Sequence, residues 1–139
     1  MKKSLSFLMA LMLVLAFIFT LNISNVKILF TGDIEQEAEK DLAGILEELK
    51  VDILKVPHHG SNTSLSMEFL KKVNFKTALI SVGKNNYYGH PNEETILKLQ
   101  NKKIYRTDQM GIVYIIIYKR KYNVFYNMKL KPNILYNTI

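Results

Sequence analysis

The sequence contains no cysteine and only three histidines among its 139 residues. Without cysteine the chain can form neither a disulfide framework nor a thiolate metal site. Any metal ion must therefore be held by histidine, aspartate or glutamate. The first histidine is His58, so residues 1–57 offer no imidazole at all. A hydrophobic content of 48% over this length is enough for one modest domain with a real core.

Acidic residues are fewer than basic ones, 12 against 19, which gives a net charge of +7 and a pI of about 9.5. The lysines are scattered, and part of the excess lies near the C-terminus, at Lys119, Arg120, Lys121, Lys129 and Lys131. An ordinary basic surface explains this charge at least as well as a nucleic-acid interface does. Charge alone therefore does not establish nucleic-acid binding.

The N-terminus has the pattern of an export segment. Lys2 and Lys3 precede an uncharged apolar run over residues 4–23, close to the roughly 20 residues that span a bilayer as a helix. No small-residue cleavage site follows, and no cysteine is available for a lipid anchor. Residues 1–24 are therefore predicted to be a signal peptide or a hydrophobic membrane-anchoring helix. The positive-inside tendency then predicts a secreted or membrane-anchored protein with its domain outside the cytoplasm.

Apolar runs alternate with amphipathic segments after residue 25. Buried strands are predicted over residues 26–31, 51–56 and 77–82, and helices over 34–50, 66–73 and 92–101. A short edge strand is expected over 103–106, and residues 112–118 are strongly β-prone. Glu35, Glu37 and Glu39 fall in the first turns of the first helix, where carboxylates suit the positive end of the helix dipole. The alternation predicts an α/β fold, a parallel or mixed sheet with helices against it.

Four metal-capable side chains are expected at one edge of this sheet. Asp33 follows the first strand, His58 and His59 follow the second, and His90 lies a few residues past the third. The ligand crevice of such a sheet lies at the C-terminal ends of its strands, so these residues should converge there. Imidazole and carboxylate groups suit Zn²⁺, Mn²⁺ or iron, and a bound metal makes its water acidic enough to supply hydroxide at neutral pH.

Each of these residues also has a structural explanation. Asp33 could cap the following helix, and His90 could be an ordinary loop residue. Adjacent residues in extended chain point in opposite directions, so one of His58 and His59 would be structural. The joint placement of all four residues at one edge favours a site.

Four segments occur in series: LFTGDIEQEAEKDL, VDILKVPHHGSNTS, ALISVGKNNYYGHP and IYRTDQMG. In this order and spacing they resemble the metallo-β-lactamase-fold hydrolases. The branch they resemble is the hydrolase domain of ComEC-like competence proteins and its exported stand-alone relatives. The resemblance covers residues 26–111 and implies an αββα sandwich with one or two metal ions, zinc or manganese, at one edge.

The resemblance also implies roles for individual residues. It makes Asp33, in the TGD motif, a metal-bridging carboxylate. It leaves open whether His59 or His90 supplies the later ligand, so Asp33, His59 and His90 are the candidate metal ligands. His58 becomes the candidate catalytic contact to substrate. The rim of the site is expected to present Ser61, Asn86 and Tyr88 for substrate binding.

The chain also departs from that family pattern. The principal metal motif of the family, HxHxDH, is absent, as is a histidine before the TGD strand. Only the C-terminal αβ half of the sandwich is recognisable, as a partial domain over residues 25–114. An atypical basic tail, rich in Tyr, Asn, Lys and Ile, follows over residues 115–139. With helices on one face only, the other sheet face is expected to be apolar and uncovered and to invite self-association.

Three functions are consistent with these observations. The first is a metal-dependent hydrolase acting on a phosphodiester or another ester, with nucleic acid as a candidate substrate, weak or inactive alone because ligands are missing. The second is a catalytically dead remnant of that fold. The third is a membrane-tethered binding module, held by residues 4–23 if they are uncleaved, whose basic tail contacts anionic lipid or nucleic acid.

Overall fold

The structure is a computed structural model that describes residues 18–127. The elements in chain order are β1 (Phe19–Ile23), β2 (Val26–Phe30), α1 (Gln36–Ile45), β3 (Leu49–Lys50), β4 (Ile53–Lys55), a 3-10 turn (Pro57–Gly60), α2 (Met67–Lys72), β5 (Val73–Asn74), β6 (Thr77–Ile80), α3 (Glu93–Lys98), β7 (Lys103–Arg106), α4 (Thr107–Met110), β8 (Val113–Tyr118) and β9 (Lys121–Tyr126). The predicted strands and helices are present, the edge strand over 103–106 with its predicted bounds and the others with shorter bounds. The first helix ends at Ile45 rather than near residue 50, and α4 was not predicted.

The central sheet has five strands in the order β1-β2-β4-β6-β7. Strands β2, β4, β6 and β7 run parallel, and β1 pairs with β2 in the antiparallel sense. The parallel strands are joined through α1, α2 and α3. This topology confirms the predicted α/β fold and the assignment to one αβ half of a metallo-β-lactamase-like sandwich. It also places the C-terminal ends of β2, β4 and β6 at one edge.

The N-terminal strand differs from the prediction. Residues 19–23, which were placed in a hydrophobic helix, form β1 and pair with β2 from Phe19 opposite Phe30 to Ile23 opposite Val26. Ser24 and Asn25 both have positive φ, 48° and 65°, as a two-residue hairpin turn requires. The two strands are thus joined by a tight turn where the sequence predicted the end of an export segment. The rest of that segment, residues 1–17, lies outside the described residues.

All three crossover helices cover one face of the sheet. Alternate residues of the strands, including Leu29, Leu54 and Ala78, belong to one buried cluster. The helical layer contributes Leu42 from α1, Phe69 from α2 and Leu99 at the end of α3 to the same cluster. Burial of such side chains contributes roughly 1.5–3 kcal/mol each. This cluster is the core that holds the strand ends in place beneath the candidate site.

The opposite face of the sheet is covered in part by the β8–β9 hairpin. The Tyr122 hydroxyl lies 2.8 Å from the Thr77 hydroxyl, and the rings of Tyr105 and Tyr126 are 6.4 Å apart. Thr77 and Tyr105 lie on the face that alternates with the helical core. Residues 115–126, expected to be an atypical tail, thus form a hairpin against the sheet, and the expectation of a wholly uncovered face is wrong. Residues 128–139 of that tail lie outside the described residues.

Part of the same face stays open at the edge strand β1. Phe19, Leu21 and Ile23 alternate along β1 and are 55%, 39% and 43% exposed. The Phe19 ring stacks on Phe30 at 4.7 Å. This apolar stripe is the exposed remainder of the predicted open face. The self-association expected through it stays a prediction.

Candidate functional site

Three loops meet at the C-terminal edge of β2, β4 and β6. The His58 amide donates to the Gly32 carbonyl oxygen at 3.1 Å, which ties the turn after β4 to the loop after β2. The His59 ring nitrogen Nδ1 lies 2.6 Å from the Ser81 carbonyl oxygen, which ties the same turn to the loop after β6. The predicted convergence of Asp33 and the histidines at this edge therefore has a direct hydrogen-bonded basis.

The turn that carries the two histidines has an unusual backbone. His58 and His59 have φ of 44° and 55°, both in the left-handed region. This conformation costs non-glycine residues roughly 1–2 kcal/mol each, and such strain clusters at functional sites. The two residues are not in extended chain, so the premise that one of them must point away is wrong. Each has its own partners at the edge.

Gly60 closes the turn against the loop that carries His90. Its φ is 82°, and a Cβ there would lie 2.7 Å from the Pro91 Cβ. The Asn92 amide also donates to the Gly60 carbonyl oxygen at 2.8 Å. Only glycine fits this close approach. Through it the turn and the Gly89-His90-Pro91 segment are held together.

Asp33 and His59 form the closest pair of candidate metal ligands. His59 Nε2 lies 3.6 Å from Asp33 Oδ1, and their side chains are 45% and 64% exposed. Because the Ser81 carbonyl can only accept, Nδ1 of His59 carries the proton, and Nε2 of the neutral ring keeps its lone pair on the side of Asp33. A backbone acceptor that fixes the tautomer in this way is typical of metal-binding histidines.

Lys55 lies beside this pair, a neighbour that the sequence reasoning missed. Its Nζ is 4.0 Å from Asp33 Oδ1 and 3.4 Å from the Gly32 carbonyl oxygen. Burial lowers the pKa of the ammonium group, and the Asp33 carboxylate opposes that shift. The signal for it was present, since Lys55 is the last residue of β4 and the only charged one in that strand.

His58 faces a different set of groups. Its Nδ1 lies 3.7 Å from Glu35 Oε1 and 3.4 Å from the Ser61 hydroxyl. Both neighbours are on the same ring nitrogen, whereas a serine-histidine-acid relay needs them on opposite nitrogens. The group is therefore not arranged as a nucleophilic triad. Sequence reasoning had assigned Glu35 only to the helix dipole and missed its place beside His58.

His90 lies next to His58 and Tyr88 rather than next to Asp33. Its ring centroid is 5.7 Å from that of His58 and 5.8 Å from that of Tyr88. Desolvation lowers the pKa of His90, and the nearby charges of His58 and then His59 lower it further. Asn86 holds the loop, since it donates to the His90 carbonyl oxygen at 2.8 Å and accepts from the His90 amide at 2.9 Å.

The three predicted rim residues have different environments. Tyr88 is 83% exposed and lies on the rim beside His90. The Asn86 side chain is engaged by the backbone of its own loop. Ser61 is only 2% exposed, and its hydroxyl bonds to those of Thr63 and Ser64 at 2.8 and 3.2 Å. The expectation that Ser61 lines the open rim is therefore wrong, because the ST-rich turn buries it.

Residues 19–84 match the metallo-beta-lactamase superfamily model. The matched region runs from β1 to the loop after β6 and contains Asp33 and both histidines of the turn. Over these residues the chain is similar to the metallo-beta-lactamase superfamily. The match begins at Phe19, the first residue of β1.

Proteins similar to this chain include competence proteins. It is 42% identical over 87 residues to ComE operon protein 3 of Bacillus subtilis, covering 61% of this chain and 11% of that protein. It is 38% identical over 87 residues to Competence protein ComA of Neisseria gonorrhoeae, covering 60% and 13%. Recombination protein 2 of Haemophilus influenzae is 38% identical over 76 residues, covering 55% and 9%. The chain spans about a tenth of the length of these relatives.

Members of this superfamily generally bind zinc, and the donors of this chain can be compared with that requirement. Asp33 and His59 supply two donors on one side of the edge, while His58 and His90 lie together on the other. Within residues 18–127, no group of three or more His, Asp or Glu side chains is arranged to hold one ion. A catalytic zinc normally needs three protein ligands. The donor set therefore does not fit a complete centre.

Proposed function

We propose that this chain is the C-terminal half of a metal-dependent hydrolase domain of the ester or phosphodiester class, with little or no turnover by itself. The observation that carries the proposal is the Asp33–His59 pair, oriented by the Ser81 carbonyl at the C-terminal edge of the sheet. The pair supplies two of the three protein ligands that a catalytic zinc normally needs. The superfamily match over these same residues supports a hydrolase origin.

The side chains around the pair have consistent roles in such a site. Lys55 places a positive charge beside Asp33. His58 lies on the neighbouring side, where it would contact an anionic substrate as a hydrogen-bond donor. His90 and the exposed Tyr88 would bound the substrate rim. Donors from another segment or another chain would be needed before the site could activate water.

Metal binding by the full chain tests the proposal. We expect weak, substoichiometric uptake of Zn²⁺ or Mn²⁺ that is lost in Asp33→Asn and His59→Gln, and no hydrolysis of bis(p-nitrophenyl) phosphate above background. His90→Gln is the control, because His90 lies apart from the pair, and it should leave metal uptake unchanged. Uptake insensitive to Asp33→Asn would overturn the ligand assignment. Tight stoichiometric binding with turnover would overturn the claim that the site lacks ligands.

The names of the relatives bear on the substrate, and the N-terminal sequence bears on location. A competence protein and a recombination protein among them make nucleic acid a reasonable substrate class to test with this chain. The apolar run after Lys2 and Lys3 supports placement at or outside a membrane. Within residues 18–127, no helix has the length and apolar character needed to cross a bilayer.

A further inference from the structure

The sheet edge opposite the candidate site contains a cleft. It lies where the chain enters β6 and β7, and its volume is about 660 Å³. The lining residues come from two loops and the hairpin: Asn74, Phe75, Lys76, Gln100, Asn101, Lys102, Lys103 and Tyr122. Parallel strands put this edge a full strand length away from Asp33 and the histidines. Nothing in the proposed hydrolase function uses it.

The cleft concentrates positive charge. Lys76, Lys102 and Lys103 contribute three ammonium groups, and the lining residues include no Asp or Glu. Lys76 and Lys103 are both exposed. Lys76 directly precedes β6 and Lys103 begins the adjacent strand β7, and the Lys103 amide donates to the Lys76 carbonyl oxygen at 3.1 Å. Asp52 lies at the same edge, where its carboxylate accepts from the Lys27 amide at 2.9 Å, but it is not one of the lining residues. The charge of the cleft is therefore not neutralised by its own walls.

Lys102 is held in place rather than free to swing. Its Nζ donates to the Phe75 carbonyl oxygen at 2.7 Å and lies 4.7 Å from the centroid of the Phe75 ring. An ammonium group has three donors, so two remain for a ligand. Phe75 itself is only 2% exposed. A pre-positioned cation of this kind lowers the entropy cost of binding an anion.

The neutral part of the lining favours hydrogen bonding over apolar contact. Asn74, Gln100 and Asn101 are exposed and bring amide donors and acceptors beside the lysines. Tyr122 forms the far wall and is fixed by the Thr77 hydroxyl. The volume falls in the 300–1,000 Å³ range of small-molecule sites. Three cations, amide groups and this volume suit a compact, multiply charged anion with oxygen acceptors.

We propose that this cleft binds a small phosphorylated ligand, a nucleoside polyphosphate or an inorganic polyphosphate, through Lys76, Lys102 and Lys103. Phosphate oxygens are the acceptors that lysine ammonium groups bind as point charges. The two sources share this chemistry and differ only in whether a nucleoside accompanies the phosphates. The inference does not depend on the proposed function, because the two sites lie at opposite edges of the sheet.

Calorimetric titration of the full chain with inorganic triphosphate and with ATP at low ionic strength tests the inference. We expect saturable binding that weakens with added salt and that falls by about tenfold or more in the double variant Lys76→Glu/Lys103→Glu, since charge repulsion replaces two contacts. Equal affinity for both probes would identify the phosphates as the recognised group, and tighter binding of ATP would add a nucleoside contact.

The matched control is Lys40→Glu/Lys84→Glu, which makes the same charge change at two exposed lysines outside the cleft. Thermal melting by circular dichroism should show that both double variants are folded. Absence of binding by either probe would overturn the inference. So would an equal loss of affinity in the cleft and control variants, because binding would then follow net charge and not the site.

Discussion

Replacing Glu39 by glutamine should destabilise the fold and loosen the segment that follows the histidine turn. Glu39 is fully buried in α1, and its carboxylate accepts from the amides of Leu65 and Ser66 at 2.8 and 2.5 Å. Leu65 has a φ of 59°, so the carboxylate also stabilises a strained entry to α2. Residues 61–66 connect the turn of His58 and His59 to that helix.

The size of the effect follows from the two hydrogen bonds. Glutamine has nearly the same shape but offers one acceptor oxygen and one NH₂ donor, so one buried amide faces another donor. An unsatisfied buried donor costs about 1–3 kcal/mol, and the remaining bond loses its charge assistance, about 1 kcal/mol more. Glu39→Gln should therefore lower the free energy of unfolding by about 2–4 kcal/mol. That is a large part of the 5–15 kcal/mol typical of a domain.

Urea denaturation followed by circular dichroism measures the change, with Glu37→Gln as control. Glu37 lies in the same helix and is exposed, so its change should stay within about 0.5 kcal/mol. Hydrogen exchange of the Leu65 and Ser66 amides should accelerate in Glu39→Gln alone. If the two variants were equally stable, the claim that this carboxylate holds the start of α2 would fail.

Three further outcomes can be checked separately. Gly60→Ala should lower the free energy of unfolding by at least about 1–2 kcal/mol, because φ is 82° there and the new Cβ would clash with the ring of Pro91. Gly44→Ala has open space around its Cβ and should raise the free energy of unfolding by about 0.5–1 kcal/mol, because alanine favours the helix. A loss at both glycines in urea melts would contradict this. Hydrogen bonding from Arg106 lowers the pKa of Asp108, so the stability from that pair should be full above the ordinary pKa of 3.8 and lost as pH falls through the lowered value. The stability difference between wild type and Asp108→Asn, followed against pH, should shrink towards acid, and a constant difference would refute the linkage. Burial and the two turn histidines lower the pKa of His90, so the midpoint of its NMR titration should lie below 6.5. The free energy of unfolding should then decrease as the pH falls from 6.5 towards that lowered pKa, because the unfolded chain binds the proton first. A midpoint at or above 6.5 would argue against this packing of the rings.

The hydrophobic pattern predicted the parallel strands and the edge at which the candidate residues meet. Each apolar run of four to six residues, bounded by polar turn residues, is a local property of the chain. Parallel topology then requires the strand ends to lie side by side. Asp33, His58, His59 and His90 could therefore be assigned to one edge before their distances were known. The superfamily match confirms the resemblance over residues 19–84, which contain Asp33, His58 and His59.

The partners of those residues could not be predicted in the same way. Ser81 orients His59 through its backbone carbonyl, which every residue possesses. Glu35 lies beside His58 because of the path of the loop before α1. Ser61 is buried by its contacts with Thr63 and Ser64, and no local sequence rule predicts two left-handed histidines in succession. The metal-capable side chains form two separate pairs, Asp33 with His59 and His58 with His90. That separation depends on side-chain distances, which the sequence does not contain.

The sequence by itself determined the fold class, the order of the strands that deliver the site and the residue types available to it, because these depend on local periodicity and composition. Tertiary structure alone decided that residues 19–23 form a sheet strand, that the β8–β9 hairpin covers part of the second face and that Glu39 is buried. Each of these outcomes depends on contacts between segments distant in the chain. An apolar run can form a helix or a strand, and pairing with β2 decided this for residues 19–23. A glutamate is ordinarily exposed, and Glu39 is buried because its carboxylate accepts from two buried amides.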